Sequence, residues 1–395
     1  MFLKANHLFN AQGLKDREGK ERMVDKKIKL IEPVIGEEEI NRVTEVLRSG
    51  WLTEGQQTKE FEERVKRFLG VRYAVATTSC TTALEVALKA LGIGPGDEVI
   101  VPDFTHPATG NIVRWIGATP VLVDVDLHSY NIDPEEVNKA VTRKTRCVIP
   151  VSWGGNPLDF EPLNKVKEEH DLFIVEDAAC SIGSEYKGVK TGTIADVTCL
   201  SFHPRKSITT GEGGMVVTNN PVYGERFAGL KKFGIDPKSA EIRFVGEGTN
   251  YKLSDILGAI GVEQMNKIET IINRRIELAK HYDKLLAGVD SVKLPEKREE
   301  AKHVYQTYAV YIEREGARDK LITHLRKKDI ETQIGTYALH RQPSYAKAKK
   351  IGRLERADKL FRNLLALPMC HSMTRRDQER VTSEIETFLS RIAVD

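Results

Sequence analysis

Two segments of the chain carry residue types that could act together in chemistry. An apolar run ends in Ile-Val-Glu-Asp at residues 174–177, and a later apolar run leads into SFHPRKSITTGEGG at 201–214. If both runs are strands of one parallel sheet, their carboxyl ends lie at the edge where such sheets bind ligands. Asp177 and Lys206 would then be neighbours, and a lysine amine beside a carboxylate suits a cofactor with an aldehyde and a basic ring.

Pyridoxal 5′-phosphate is a cofactor that needs this pair. Its aldehyde forms a Schiff base with a lysine amine, and its pyridine nitrogen needs a carboxylate in order to stay protonated and withdraw electrons. Once an amine substrate displaces the lysine, that lysine can carry the α-proton. Alone, Asp177 could be a helix N-cap and Lys206 an exposed lysine, but their order and spacing together predict a site for this cofactor.

The segment TTSCTTALEVALKAL, residues 77–91, could hold the phosphate of the cofactor. It places small hydroxyl residues at the start of an amphipathic helix, where free backbone N–H groups and the helix dipole favour an anion. An ordinary Ser/Thr N-cap has the same pattern, so the phosphate interpretation depends on Lys206.

Other motifs argue against a nucleotide-binding loop or a metal site. LGIGPGD at 91–97 lacks the GxGxxG spacing and precedes a strand instead of following one. GSEYKG at 183–188 has the glycine spacing of a P-loop, but Val189 stands where the lysine should be. Because the ten histidines show no ligand spacing such as HExxH, we expect no catalytic metal.

The elements that must position these residues alternate between short apolar runs and helical patterns. Helical patterns fall at 36–50, 58–69, 82–91 and 134–141. Alternating strands and helices form βαβ units, and apolar runs without alternation suit strands that are buried on both faces. We therefore predict an α/β fold with a large, mostly parallel sheet flanked by helices. Its seven strands come from the runs 73–76, 98–102, 120–124, 147–151, 172–176, 197–202 and 215–218.

The pattern changes beyond residue 252. A long helical stretch covers 253–287, and 304–313 alternates as an antiparallel strand does. These patterns predict a smaller α+β domain that a long helix joins to the large one. The predicted parts are a polar N-terminal extension (1–27), a large cofactor-binding domain (28–252), and the long connecting helix with the small C-terminal domain (253–395).

The composition excludes several classes of protein. The 395 residues include 60 basic and 57 acidic side chains, and a net charge of +3 gives no electrostatic reason to bind nucleic acid or an acidic membrane. No apolar run approaches the ~18 residues of a membrane helix. The five cysteines form no CxxC pair, and the N-terminus lacks the apolar core of a signal peptide. We expect a cytoplasmic protein, and Met23 could be its natural start.

The same segments also carry a family resemblance. Over nearly all of 28–395 the sequence resembles the DegT/StrS-type sugar aminotransferases, a branch of the fold type I pyridoxal-phosphate enzymes. The matching elements are SGWLTEG (49–55), VATTSCTTALEVAL (75–88), VPDFTHPATGNIV (101–113), VEDAACSIGSEYKG (175–188), SFHPRKSITTGEGG (201–214), NYKLSDILGAIGVEQM (250–265) and ALPMCHS (366–372). The EDAA and SFHPRKSITTGEGG elements are highly specific in combination.

The resemblance implies roles for individual residues at the cofactor. Lys206 matches the Schiff-base lysine, and Asp177 matches the partner of the pyridinium nitrogen. His106 falls where the family usually stacks an aromatic ring on the cofactor. The resemblance implies further cofactor contacts by Ser79, Cys80, Thr81, Cys180, Ser201 and Asn250.

The resemblance also extends to a second subunit and to the substrate. Asn250 matches an asparagine that reaches the phosphate from the neighbouring subunit, so a homodimer is implied. Tyr337, His340 and Arg341 lie in a segment that approaches the substrate in relatives. The alternative for these three residues is an ordinary place on the surface of the small domain.

Three positions depart from the family pattern. Cys80 stands where the phosphate loop commonly has glycine, and Cys180 stands where glutamine often follows the aspartate-alanine-alanine run. Ser152 lies where a histidine is usual. The cofactor chemistry is thus kept, while the residues that face the substrate are unusual for the family.

The resemblance implies an aminotransferase that moves an amino group from L-glutamate to a keto group of a nucleotide-linked sugar. Two alternatives stay open. A sugar dehydratase of the same family would carry histidine in place of the lysine, so Lys206 argues against it. A non-catalytic, cofactor-binding regulator would need neither Lys206 nor Asp177, and the chain shows no DNA-binding module.

Overall fold

The structure, a computed structural model, describes residues 26–392. The predicted polar extension over 1–27 lies almost wholly outside the described residues. In the described part the helices are α1 (Glu37–Ser49), α2 (Gln56–Leu69), α3 (Cys80–Ala90), α4 (Pro107–Trp115), α5 (Pro134–Ala140), α6 (Phe160–His170), α7 (Pro221–Leu230), α8 (Asp255–Leu286), α9 (Ala317–Lys327), α10 (Glu355–Asn363) and α11 (Arg375–Ile392). No helix among these residues is long and apolar enough to span a membrane.

The strands of the described part complete the element order. They are β1 (Tyr73–Thr77), β2 (Glu98–Pro102), β3 (Phe104–Thr105), β4 (Thr119–Val123), β5 (Thr145–Val148), β6 (Phe173–Asp177), β7 (Glu185–Tyr186), β8 (Val189–Lys190), β9 (Val197–Ser201), β10 (Gly214–Thr218), β11 (Val292–Lys293), β12 (Ala301–Lys302), β13 (Tyr308–Ile312), β14 (Gln333–Ile334), β15 (Tyr337–Ala338), β16 (Lys349–Lys350) and β17 (Leu364–Leu367).

One large sheet has the strand order β1-β10-β9-β6-β5-β2-β4-β16. All seven predicted runs form strands in it, which confirms the predicted α/β fold with a mostly parallel sheet. From β9 to β16 neighbouring strands are parallel, whereas β10 runs antiparallel to both β1 and β9. The eighth strand, β16, was not predicted, because Lys349 and Lys350 give no apolar signal.

Helices cover both faces of this sheet, which explains why its strands are apolar without alternation. Every residue of β2, β9 and β10 is buried. Val99 and Val101 of β2 join a core cluster with α3, α4 and α7, whereas Ile100 between them joins a cluster with α5 and α6. A third cluster packs the β1 end of the sheet against α2 and α8. These helices cover the faces of the sheet and leave a cavity at the carboxyl ends of its strands.

Helix α8 is the long connecting helix that the sequence predicted. The Ser254 hydroxyl caps its first turn. The helix passes very close to α2: a Cβ on Gly258 would lie 2.7 Å from the backbone N of Thr58, and one on Gly261 would lie 2.8 Å from the ring of Phe61. Glycine at these two positions therefore allows α8 to pack directly on α2 beside the large sheet.

A second, antiparallel sheet of order β11-β13-β17-β14 forms the centre of the C-terminal part. It packs with α9, α11 and the second half of α8, where Tyr282 stacks on Tyr308 with ring centres 5.1 Å apart. Several strand contacts cross the predicted domain limits, because Ile28 pairs with Ile330, β12 pairs with β7, β15 pairs with β3 and β16 joins the large sheet. The division into domains stays a prediction.

Candidate active site

A cavity of about 400 Å³ opens at the carboxyl ends of β6 and β9. Asp177 is the last residue of β6, Ser201 is the last residue of β9, and Lys206 lies in the turn that follows. The sheet thus brings the two central residues of the predicted site to one place. Nine of the predicted site residues line this cavity: Ser79, Cys80, Thr81, His106, Asp177, Cys180, Ser201, Lys206 and Tyr337.

Asp177 is buried and three donors hold its carboxylate. The Thr109 hydroxyl donates to Oδ2 at 2.8 Å, and the backbone N–H of Ala179 donates to Oδ1 at 3.2 Å. The thiol of Cys80 donates to Oδ1 more weakly, with Sγ at 3.9 Å. Within residues 26–392 this carboxylate forms no ion pair, so its charge is available to a cationic group in the cavity.

Lys206 is held at both its backbone and its amine. Its backbone N–H donates to the carbonyl of His203 at 2.8 Å, and Nζ donates to Sγ of Cys180 at 3.2 Å. Burial alone would lower the pKa of Lys206, but Cys180 and Asp177 outweigh that effect and hold the pKa above its ordinary value. The free amine is therefore protonated and must lose a proton before it can act as a nucleophile.

The N-terminus of α3 forms one end of the cavity. Ser79 is its N-cap, and the Ser79 hydroxyl accepts from the N–H of Thr82 at 3.2 Å. The first-turn N–H groups of Cys80 and Thr81 have no acceptor within the helix. A Cβ on Gly214 of β10 would collide with the backbone of Ser79 and Cys80, so glycine lets the strand approach this turn. The result is a set of N–H donors suited to an anion.

A two-stranded ribbon of β3 and β15 brings two rings to the cavity. Tyr337 pairs with Thr105 in this ribbon, and its ring centre lies 6.3 Å from that of His106. His106 caps α4, because its Nδ1 accepts from the N–H of Ala108 at 3.2 Å. Burial, followed by the charge of Lys206, lowers the pKa of His106. The ring is therefore neutral with its proton on Nε2.

Three predicted site residues do not line the cavity of this chain. Asn250 is exposed, and its backbone pairs with Lys232, which does not line the cavity. Nδ1 of His340 lies 2.6 Å from Oδ2 of Asp103, and Nε of Arg341 donates to Oδ1 of Asp358 at 2.6 Å. These last two pairs fix the segment that follows β15, and they turn His340 and Arg341 towards carboxylates outside the cavity.

Sequence reasoning missed four residues at the site: Thr109, Arg205, Gln306 and Gln333. Arg205 lines the cavity, its Nη1 donates to Oε1 of Gln333 at 3.1 Å, and its carbonyl accepts from Nε2 of Gln306 at 2.7 Å. Its place directly before Lys206 was a signal that could have found it. Gln306 lies in a loop and Gln333 in the two-residue strand β14, both far away in the sequence, where no motif marks them.

Ser152, which stands where the family usually has histidine, does not line the cavity either. Its hydroxyl is buried and donates to Oε1 of Glu176 at 2.5 Å, and Thr198 donates to Oε2 at 3.1 Å. Burial raises the pKa of Glu176 to about 7. The cavity wall next to Ser152 is formed by Trp153 and Gly154.

The residues at this cavity fit pyridoxal phosphate. Lys206 supplies an amine for the aldehyde, Asp177 supplies an unpaired carboxylate for the ring nitrogen, and the first turn of α3 supplies N–H donors for the phosphate. Because residue 214 of β10 is a glycine, no side chain from that strand lies against this turn. Among residues 26–392 no group of three His, Cys, Asp or Glu side chains could hold a metal ion.

Comparison with known proteins identifies the family. The sequence pattern of the DegT/DnrJ/EryC1/StrS aminotransferase family matches residues 33–386. The chain belongs to this family. It is 35% identical over 373 residues to the spore coat polysaccharide biosynthesis protein SpsC of Bacillus subtilis, a match that covers 90% of this chain and 96% of the relative.

Solved structures of family members share the fold. A putative sugar aminotransferase from Streptococcus pneumoniae in its PMP form superposes with a TM-score of 0.89 at 30% identity, covering 93% of this chain and 99% of that one. DesV of S. venezuelae, solved with a ketimine intermediate, gives 0.84 at 34% identity and covers 89% and 94%. The pneumococcal protein is also known in a PLP form. The chain is therefore a fold type I, pyridoxal-phosphate-dependent member of a sugar aminotransferase family.

Proposed function

We propose that the protein transfers an amino group from L-glutamate to a keto group of a nucleotide-linked sugar. The observation that carries the proposal is that Lys206 and Asp177 line one cavity at the carboxyl ends of β6 and β9, in a chain of a sugar aminotransferase family. The nucleotide and the amino donor are inferences from the family resemblance and from the charge of the cavity.

The residues that would hold the cofactor follow from their contacts. Pyridoxal phosphate supplies, when bound, an aldehyde that reacts with amines and a ring that withdraws electrons. Asp177, held by Thr109 and the N–H of Ala179, would keep the ring nitrogen protonated, because an adjacent carboxylate stabilises a cation. The α3 N-terminus with Ser79 and, from β9, Ser201 would bind the phosphate.

Lys206 would serve as both the attachment point and the proton carrier. Its amine lines the same cavity as Asp177, and the turn after β9 fixes its backbone. When an amino substrate replaces it, the freed amine can take a proton from the substrate carbon and return it. Cys180, at 3.2 Å, would hold the free amine close to its working place.

Arg205 supports anionic substrates. Among the described residues it forms no ion pair, and only one N–H of its guanidinium group is used, by the neutral side chain of Gln333. The remaining N–H groups of the guanidinium can bind a carboxylate or a phosphate through two parallel hydrogen bonds. Both proposed substrates carry such a group, since glutamate has carboxylates and a nucleotide-linked sugar has phosphates.

The proposed active unit is a homodimer in which Asn250 reaches the partner's phosphate site. An exposed apolar patch lies directly before Asn250 in the sequence: Ile242 is 77% exposed, Phe244 66% and Val245 64%. A monomer rarely leaves adjacent large apolar side chains open to water. A second copy that covers this patch under two-fold symmetry would bring Asn250 towards the other active site.

Mixing inactive variants tests the dimer. Lys206→Ala and Asn250→Ala homodimers should both be essentially inactive. If Asn250 acts in the partner's site, a mixed dimer combines both defects in one site, and activity recovers towards half per heterodimer. A mixture of Lys206→Ala with Asp177→Asn is the matched control and should not recover, because both residues line the same cavity. No recovery in the first mixture, with subunit exchange demonstrated, would contradict the shared site.

Incubation with glutamate and a panel of keto-sugar nucleotides tests the reaction. We expect an amino sugar and 2-oxoglutarate in equal amounts, from a protein proposed to work in the cytoplasm. Loss of water from the sugar without consumption of glutamate would contradict the proposal and indicate a dehydratase. The absence of amino-group exchange with any donor, in protein that holds the cofactor, would indicate a non-catalytic protein.

A further inference from the structure

The cavity contains two thiols with opposite electrostatic surroundings. Sγ of Cys180 accepts a hydrogen bond from Nζ of Lys206 at 3.2 Å. Sγ of Cys80 lies 3.9 Å from Oδ1 of Asp177. A thiolate at Cys180 would therefore face a cation, whereas a thiolate at Cys80 would face an anion.

The two thiols also differ in exposure, and this difference again favours the reactivity of Cys180. Cys180 is partly exposed, whereas Cys80 is buried at 9% exposure. Burial, and after it the charge of Asp177, raises the pKa of Cys80 well above its ordinary value. Because the thiolate is the form that reacts with oxidants, Cys80 should be inert and Cys180 should react first.

We propose that Cys180 is a site of reversible oxidation and that its oxidised form closes a covalent bond to Lys206. The geometry points to this product because a nucleophilic amine already lies in contact with the sulfur. Sulfenic acids condense with nearby nitrogen or sulfur nucleophiles. In this cavity the nitrogen at 3.2 Å is the amine of Lys206.

The two steps balance with hydrogen peroxide as the oxidant. The thiol of Cys180 and one peroxide give a sulfenic acid and one water, with the O–O bond broken and sulfur oxidised. The Lys206 amine, in its deprotonated form, then attacks the sulfur. An S–N bond forms, the S–O bond breaks, and a second water leaves with the amine proton. Two equivalents of a small thiol reverse the link and are oxidised to a disulfide, which restores both side chains.

The link would remove the amine that the cofactor needs. It can form only while Lys206 is free, and while it lasts Lys206 cannot bind an aldehyde. This inference goes beyond the proposed aminotransferase function, because it requires only the contact between Cys180 and Lys206. Oxidation would thus stop the covalent attachment of the cofactor to Lys206, and reduction would restore it.

Mass spectrometry of the full-length, cofactor-free protein tests the proposal. After treatment with stoichiometric peroxide and digestion without reductant, the peptides that contain Cys180 and Lys206 should appear joined, with the mass of two hydrogen atoms missing. Dithiothreitol should separate them. Cys180→Ser and Lys206→Arg should each abolish the joined peptide, and Cys80→Ser, the matched control, should retain it.

A second measurement needs no variant. In the folded wild-type protein a limiting amount of iodoacetamide should alkylate Cys180 before Cys80. Cys180 oxidised to sulfinic acid without any joined peptide would overturn the proposal. A joined peptide that persists in Cys180→Ser, or faster alkylation of Cys80, would overturn it as well.

Discussion

Two sides of the cavity are built in different ways. One side is the strand-end group, which lies at or just beyond the ends of the five-residue strands β1, β6 and β9 of one sheet and consists of Ser79, Asp177, Ser201 and Lys206. The opposite wall, residues 333–337, consists of two-residue strands and turns. The strand-end group carries the residues that we propose hold the cofactor, and the C-terminal wall lines the same cavity.

The difference shows where the fold allows change. A side chain at the end of a buried parallel strand is fixed by the whole sheet, so its place tolerates little movement. The C-terminal wall is held by short pairings, such as the two-residue ribbon of β15 with β3, and by the pair of His340 with buried Asp103 just beyond it. Side chains on such a wall can change without displacing the residues at the strand ends.

The largest expected effect is on the strand-end group. Asp177→Asn should keep the fold and much of the cofactor binding, because the amide oxygen can still accept from the N–H of Ala179 while the amide NH2 donates to the Thr109 hydroxyl. It cannot keep the ring nitrogen protonated, so kcat should fall on the order of a thousandfold or more. Steady-state kinetics with cofactor occupancy measured by absorbance checks this. Near-normal turnover would refute the role of Asp177.

The next effect concerns substrate binding at Arg205. Arg205→Gln removes the guanidinium group that we propose binds an anionic group of the substrate, so KM for that substrate should rise roughly 10- to 100-fold with a smaller change in kcat. Arg205→Lys, the matched control, keeps the positive charge but cannot donate two parallel hydrogen bonds. A rise in KM for glutamate alone would indicate that Arg205 contacts a carboxylate. A rise in KM for the sugar nucleotide alone would indicate that it contacts a phosphate. An unchanged KM for both would contradict the assignment.

A smaller effect concerns the other carboxyl of β6. Glu176 is buried, and burial raises its pKa to about 7 from 4.5. Between these values the folded protein holds a proton that the unfolded chain releases, so stability falls as the pH rises through this range. In Glu176→Gln the Tm should fall less over the same range. Glu45→Gln, at an exposed position of α1, should show the same dependence of Tm on pH as the wild-type protein. An equal dependence of Tm on pH in the wild type and both variants would contradict the role of Glu176.

The smallest effect is expected at Arg341. Its guanidinium is exposed and pairs with Asp358 outside the cavity. Exposed ion pairs contribute about 0–1 kcal/mol, so Arg341→Ala should change kcat/KM by less than about threefold. A loss as large as that of Arg205→Gln would mean that the segment after β15 turns into the cavity when substrate binds.

The sequence predicted the strand-end group because its signals are local. Apolar runs of strand length, each followed by a polar residue, lead to Asp177, Ser201 and Lys206, and the parallel order places their ends together. The prediction also identified the long helix, which begins at Asp255 and ends at Leu286. Strands that are buried on both faces of the sheet form continuous apolar runs, and such runs can be recognised in the sequence.

The C-terminal wall could not be predicted in the same way. Strands β14 and β15 have two residues each, too short for any periodicity. The partners of His340 and Gln333 come from distant parts of the chain, Asp103 and Arg205, which no spacing in the sequence connects. Resemblance placed Tyr337, His340 and Arg341 near the substrate, but only the first lines the cavity.

The central claim is that Lys206 binds the cofactor. Borohydride makes the link between a lysine amine and the cofactor aldehyde permanent, so reduction of the loaded protein, digestion and peptide mapping identify the lysine. We expect the label on Lys206, and Lys206→Ala should bind the cofactor without being labelled and without transferring amino groups. A label on another lysine, or no label in protein that holds the cofactor, would contradict the account.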